Sequence, residues 1–177
     1  AMRGKKLDLY TVDRFSRLGT GLTCSLVEHD DIIPAEVAEI VRELCPGGVS
    51  QHGDTYLVSP PNQAKMAIDA DIEILFEWVR RAKYPGKPSR FQSIFAVESL
   101  EAADTFKREF NGVEAPVYKI VSEHAFRADM RLLDPRMSPA VKSLFANLYW
   151  RGLPHPVDPP FWEGLVPCPV VIGDRVV

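Results

Sequence analysis

Three short clusters carry residue types able to do chemistry. In the first, Pro88-Ser89-Arg90 leaves a rigid Pro85-Gly86-Lys87-Pro88 turn and the chain runs on to Ser93. Arg90 offers a planar, permanently charged fork that matches a phosphate, and Ser89 and Ser93 add hydroxyls beside it. The same arginine would serve equally as the partner of a carboxylate, the commoner use of such a residue. In the second, Phe161-Trp162-Glu163-Gly164-Leu165-Val166 sets one carboxylate in an apolar run. A carboxylate is costly to bury alone, so Glu163 faces outward, has a partner or has a function. In the third, Tyr149-Trp150-Arg151-Gly152 ends a helical stretch. Its rings either wall a pocket for a flat ligand or cover the core ahead of a glycine C-cap, and the second reading is favoured.

Other chemistries drop out on pattern. The chain has no phosphate-cradling glycine loop followed by Lys and Ser/Thr, no G-x-S-x-G elbow and no H-E-x-x-H helix. His29, His52, His124 and His155 are far apart, so a metal site or a Cys-His pair would require the fold to gather them. Cys24, Cys45 and Cys168 are odd in number and lack metal spacing, which reads as three reduced, structural thiols.

The elements that must position these groups follow from periodicity. Leu7 to Val12 alternates as a strand, and the Ser/Thr/Gly-rich stretch 16–25 forms a loop or an irregular strand. Pro34 opens a helix with Val37, Ile40, Val41 and Leu44 on one face, stopped by Pro46-Gly47-Gly48. Thr55 to Ser59 reads as a short strand. The clearest helix carries Ile68, Ile72, Leu75, Phe76 and Val79 in one stripe, with Glu73, Glu77, Arg80 and Arg81 mostly off it. Arg90 to Val97 is a strand covered on both faces. Ser99 caps a helix burying Leu100, Ala103, Phe106 and Phe110, closed by Asn111-Gly112. Val117 to Val121 and a segment around Phe126 to Leu133 are further strands. Ser138-Pro139 opens a helix with Val141, Leu144, Phe145 and Leu148 inward. After a proline-rich loop, Phe161 to Val166 and Val170 to Ile172 close the chain as strands. Pro167 and Pro169 argue against one uninterrupted strand there.

Mixed helices and strands without regular βαβ alternation give an α+β class. A chain of 177 residues is the size of one domain and buries roughly 70% of its unfolded surface, so residues 1–177 are expected to form one unit with a flexible start over 1–6. Hydrophobic residues at 46% and charged residues at 25% are globular values. A net charge of −3 disfavours unaided binding to nucleic acid or to an acidic membrane. No run is apolar enough to cross a bilayer, and Lys5-Lys6 lead into a strand rather than a leader peptide, so a cytoplasmic setting is expected.

Several of these fragments recur together. They are Leu9-Tyr10-x-Val12, the glutamate-bearing helix running into Pro88-Ser89-Arg90, a strand ending in Phe95, and Ala102-Ala103-x-x-Phe106. Asp129-Met130, Tyr149-Trp150-x-Gly152 and Trp162-Glu163-x-Leu165-Val166 complete the set. This layout resembles an uncharacterised bacterial and phage family similar to the ADP-ribosyltransferase fold. The resemblance implies two small, mostly antiparallel sheets splayed around an NAD cleft. It implies Glu163 as the catalytic late-strand carboxylate, with Ser89, Arg90 and Ser93 in the middle-strand region. Thr11 falls at the first-strand position, where such enzymes carry His or Arg, and Arg14 is the nearby cation. NAD would be the substrate, and the acceptor of its ADP-ribose is open. Two alternatives follow: a domain of this fold that binds without catalysis, as Thr11 suggests, or an unrelated α+β structural or regulatory protein.

Overall fold

The computed structural model describes residues 6–61, 66, 68–110 and 112–177. The expected flexible start lies, except for Lys6, outside the described residues, as does Asn111 of the expected helix stop. The strands are β1 (Leu7–Val12), β2 (Thr23–Cys24), β3 (Ser93–Ala96), β4 (Val117–Ser122), β5 (Phe126–Asp129), β6 (Trp162–Pro167) and β7 (Val170–Arg175). The helices are α1 (Ala35–Leu44), α2 (Gln51–Gly53), α3 (Ala70–Lys83), α4 (Leu100–Glu109) and α5 (Pro139–Trp150). The chain is thus α+β, with small antiparallel sheets. No helix among the described residues is long and apolar enough to cross a membrane.

One sheet has the order β1-β4-β7-β2 and the other β3-β6-β5. Tyr10 and Val97 bridge them, each donating its amide to the other's carbonyl at 2.9 and 2.8 Å. β6 is central in its sheet, and Glu163 lies opposite Ala128 of β5, one position beyond the Ala96–Gly164 end of the pairing with β3. Pro167 ends β6, and Cys168-Pro169 separates it from β7, as the two prolines require.

Helix starts and stops follow the expected chemistry. The hydroxyls of Ser99 and Ser138 accept from the amides of Ala102 and Val141 at the heads of α4 and α5. Gly152, at φ 68°, follows α5 in the left-handed conformation that glycine adopts without strain. Tyr149 and Trp150 are fully buried, and the Trp150 indole donates to the Phe76 carbonyl at 2.8 Å, so these rings are core cover.

Several expectations fail in detail. The strand expected around Phe126 to Leu133 ends at Asp129 and passes into a 3-10 turn over Met130–Leu132, where the Asp129 carboxylate accepts from the Arg131 amide. Thr55 to Ser59 is not a strand: α2 continues into a π-helical turn over Asp54–Val58, with Ser59 N bonded to Asp54 O. The Ser50 hydroxyl caps this segment, and that local bond wins over the β-branched Thr55 and Val58. Arg90 to Gln92 is a 3-10 turn before β3 because Ser89 caps Phe91. In α1 the buried face is Ala38, Val41 and Leu44, while Val37 and Ile40 are exposed. Leu100 and Leu144 likewise face outward.

Candidate active site

Glu73 and Glu77 sit one helical turn apart on α3, where like charges disfavour the helix, yet both are buried beside Ile72 and Phe76. One cation from the same helix and one from 17 positions downstream neutralise them. Arg80 makes a bidentate pair with Glu77 at 3.0 and 2.7 Å, and the Ser89 hydroxyl donates to the same carboxylate at 3.0 Å. Arg90 makes a bidentate pair with Glu73, Nε to Oε2 at 2.7 Å and Nη2 to Oε1 at 2.8 Å. Its remaining Nη1 donates to both Glu163 Oε1 and the Tyr149 hydroxyl. Tyr149 in turn donates to Glu163 Oε1 at 2.7 Å.

The network fixes charge as well as geometry. Burial alone would raise the Glu73 carboxyl, but Arg90 and then His52 outweigh it and hold it at about 2. Burial opposes the charge on Arg90, and Glu163 and Glu73 overcome that and push its pKa well above the ordinary value. Burial, with Glu163 adding to it, pushes the Tyr149 hydroxyl well up, so it stays a donor. A guanidinium with carboxylates on two edges is strongly held, because removing it would leave both carboxylates buried without their cation.

A cleft opens between the two sheets on the Glu163 side of this network. Thr11 and Arg14 line it from β1 and the loop beyond. His52 and Tyr56 line it from the α2 segment, Ser93 and Phe95 from β3, and Arg90 and Glu163 from behind. It encloses about 150 Å3, about the size of a cavity that holds a benzene ring. The His52 imidazole lies between the rings of Tyr56, stacked at 4.3 Å, and Phe95, tilted at 4.5 Å. Its Nε2 is 3.1 Å from Glu73 Oε1, close enough for an ion pair but off the line a hydrogen bond needs.

Of the six residues singled out from sequence, five line this cleft: Thr11, Arg14, Arg90, Ser93 and Glu163. Ser89 stands behind it, bonded to Glu77. The hydroxyls on the cleft are engaged within the protein, Thr11 donating to the Phe95 carbonyl at 2.8 Å and Ser93 to the Ser89 carbonyl at 2.7 Å. Arg90 is engaged by its two carboxylates rather than open to a phosphate. Arg14 differs. Its Nε is shielded from solvent with no hydrogen-bond partner among the described residues, and burial draws its pKa below the usual arginine value, Tyr56 opposing. Glu163 is 5% exposed and takes both its bonds on Oε1; among the described residues Oε2 receives none.

Sequence reasoning missed His52, Tyr56, Glu73 and Tyr149 as parts of one site. The available signal was the acid pair on α3, since Arg80 at i+3 serves Glu77 and a second carboxylate beside a buried stripe calls for a cation from elsewhere. His52 had no comparable signal. Among the described residues, no three His, Cys, Asp or Glu side chains converge as metal ligands.

No curated protein matches the chain significantly. A family model matches residues 48–174, from the approach to α2 through β7, which takes in Arg90, Glu163, His52 and Glu73 but leaves Thr11 and Arg14 outside. The chain therefore belongs to DUF2441, a family of proteins of unknown function.

Proposed function

We propose that the cleft binds NAD and that the chain is an NAD-dependent ADP-ribosyltransferase or NAD glycohydrolase with Glu163 as its catalytic carboxylate. The observation that carries this reading is the state of Glu163. Its carboxylate is buried and clamped through one oxygen by Arg90 and Tyr149, and it borders a ring-sized cavity between two antiparallel sheets. That volume accommodates the nicotinamide ring, with the remainder of the dinucleotide extending outward. Arg14, whose Nε has no hydrogen-bond partner among the described residues, supplies a cation for the pyrophosphate.

In the reaction, the bond from ribose C1′ to the nicotinamide nitrogen breaks and its electron pair leaves with nicotinamide. The ribose becomes oxocarbenium-like, as in glycoside cleavage. Glu163 stabilises that charge as it develops and accepts a hydrogen bond from a ribose hydroxyl, with no reorganisation needed because Arg90 and Tyr149 already hold it. The acceptor, a protein side chain, a base, a small molecule or water, bonds to C1′ and releases its proton to solvent.

A second reading has its own support. Thr11 occupies the strand position where the resemblance expects His or Arg, and its hydroxyl is committed to Phe95. That favours a domain that binds the dinucleotide without cleaving it. A thermal-shift titration with NAD, followed by assay of nicotinamide release, separates the two. Binding at about 100-fold over Kd adds about 2.7 kcal/mol, or roughly 5–11 °C for a domain of this size. A shift with release that Glu163→Gln abolishes supports the enzyme. A shift without release supports the binding module, and no shift at millimolar NAD rejects both.

A further inference from the structure

The apolar residues of α1 are divided between the core and the surface. Ala38, Val41 and Leu44 are buried, but Val37 and Ile40, three positions apart on the helix, are 40% and 52% exposed. Ile33, just ahead of the helix, is 92% exposed. An apolar residue before the N-cap, which is Pro34 here, often folds back onto the first turn. Ile33 does not. Scattered exposed apolar residues are ordinary, but these three fall within one short segment and run beside the buried face as a stripe.

An acidic row flanks that stripe. Glu36, Glu39 and Glu43 stand at i, i+3 and i+7, all exposed. Helical spacing puts them on the side of Val37 and Ile40 away from Ala38 and Val41. The row does little for the helix itself. Glu36 suits the first turn, but Glu39 repels its neighbours at i−3 and i+4, and Glu43 sits at the end where the helix dipole favours cations. Arg81 of α3 reaches Glu43 at 3.6 Å, and among the described residues Glu36 and Glu39 have no ion-pair partner. Arg81 also lies over the ring of Trp78, which is half exposed, so an aromatic side chain adjoins the far end of the row.

We propose that the outer face of α1 docks a cationic amphipathic helix of another protein. Apolar side chains of that helix pack against Ile33, Val37 and Ile40, and a row of Lys or Arg beside them meets Glu36, Glu39 and Glu43. The charge selects this occupant over others. An anionic lipid surface is repelled by the acidic row. A second copy of the chain, laid antiparallel about a two-fold axis, would set acidic row against acidic row. None of these residues lines the cleft, so the docking face and the NAD reading are independent.

The test is fluorescence anisotropy of a labelled amphipathic peptide, about five helical turns long, with leucine on one face and lysine on the other. The same peptide with glutamate in place of lysine is the comparison. The lysine peptide is expected to bind the whole chain at least about tenfold tighter than the glutamate peptide, and less tightly as salt is raised. The double variant Val37→Ser with Ile40→Ser should lose at least about tenfold in affinity, and Glu36→Gln with Glu39→Gln about fivefold. Leu144→Ser, a change of equal exposure on α5, is the control and should bind as the wild type does. All these positions are exposed, and an unchanged melting temperature verifies that each variant folds. Equal affinity for the two peptides, no binding at about 100 μM, or full affinity in the Val37→Ser, Ile40→Ser variant would overturn the proposal. So would a dimer in sedimentation that this variant dissociates, since the face would then belong to a second copy. The peptide assay contains no NAD, so its outcome and that of the NAD titration stand or fall separately.

Discussion

Arg90 and Glu163 stand 73 positions apart and meet as a buried ion pair behind the cleft, with the opposite edge of the same guanidinium closed by Glu73. Through this one side chain, α3, the 3-10 turn before β3, α5 and β6 are tied to a single point. Arg90 is consequently a structural residue before it is anything else. Substituting it does not test ligand binding cleanly, whereas Arg14, outside the network, does.

Arg90→Ala should destabilise the protein by about 3–5 kcal/mol, because it leaves Glu73 and Glu163 buried without their cation. The melting temperature should fall by roughly 6–20 °C for a domain of this size. Urea unfolding followed by tryptophan fluorescence reads the change directly. A loss under about 1 kcal/mol, the range of exposed pairs, would mean that water reaches the network and that the buried arrangement does not persist in solution.

Arg14→Ala should leave stability nearly unchanged and remove most of the NAD-induced thermal shift. Its Nε bonds to no described residue, so truncation orphans no acceptor there and removes only the packing of a half-buried stem. A full NAD shift in this variant would remove Arg14 from the site.

The strands and most helices were legible because their signals are local. β1 alternates, α4 and α5 begin at capping serines, and α5 ends at Gly152, so nearest-neighbour chemistry suffices to place them. The apolar stripe of α3 was read correctly at Ile72 and Phe76, but Glu73 and Glu77 were set with the solvent-facing residues and are buried. Glu77 has its cation Arg80 at i+3, a pairing helical spacing allows, but Arg90, the cation of Glu73, and Ser89, the second partner of Glu77, lie 17 and 12 residues downstream, beyond any helical spacing. The segment at Thr55 failed for a related reason. Ser50 is fixed by the Phe91 carbonyl, 41 positions away, and that contact anchors the cap which keeps the segment helical. Residues joined by long-range polar contacts carry no periodicity, so a site built from them is visible as residue types and not as an assembly.

Acid should unfold the chain partly through Glu73. Its carboxyl is held at about 2 in the folded state, below the ordinary 4.5. A depressed folded value means that the stabilisation is complete above pH 4.5 and is lost as the pH falls from there toward 2. The window corresponds to about 3 kcal/mol by linkage. Unfolding free energies measured between pH 6 and pH 3 should therefore decline, and the decline should be shallower in a Glu73→Gln background. Parallel curves for the two would place the acid sensitivity elsewhere.

Thr11→Val should cost about 1–2 kcal/mol, since the isosteric methyl leaves the Phe95 carbonyl without its hydroxyl donor. Hydrogen exchange should show the loss at the bridge between the sheets, at the amides of Tyr10 and Val97, rather than in α1 or α5. Unchanged protection at those two amides would show that the backbone bridge holds the sheets together without Thr11.

Gly53→Ala tests whether the α2 segment presents His52 and Tyr56 to the cleft as a rigid unit. Gly53 already has helical dihedrals, φ −62° and ψ −38°, so alanine meets no backbone conflict and would ordinarily favour the helix. Space is the obstacle. An added Cβ would overlap the Phe91 carbonyl oxygen and come within 2.7 Å of Val49 Cβ. The Phe91 carbonyl cannot retreat freely, because it accepts from both the amide and the hydroxyl of Ser50, at 2.8 and 3.1 Å. The segment must therefore shift, at a cost of about 1–3 kcal/mol from overpacking, and His52 next to it shifts as well. Gly86→Ala is the control, since nothing lies within 4 Å of its added Cβ. The expected pattern is a lowered melting temperature and a smaller NAD-induced thermal shift for Gly53→Ala, with both unchanged for Gly86→Ala. A Gly53→Ala variant that is destabilised yet shows the full NAD shift would free the binding site from any dependence on α2, leaving the Phe95 and Glu163 side of the cleft to hold the ligand.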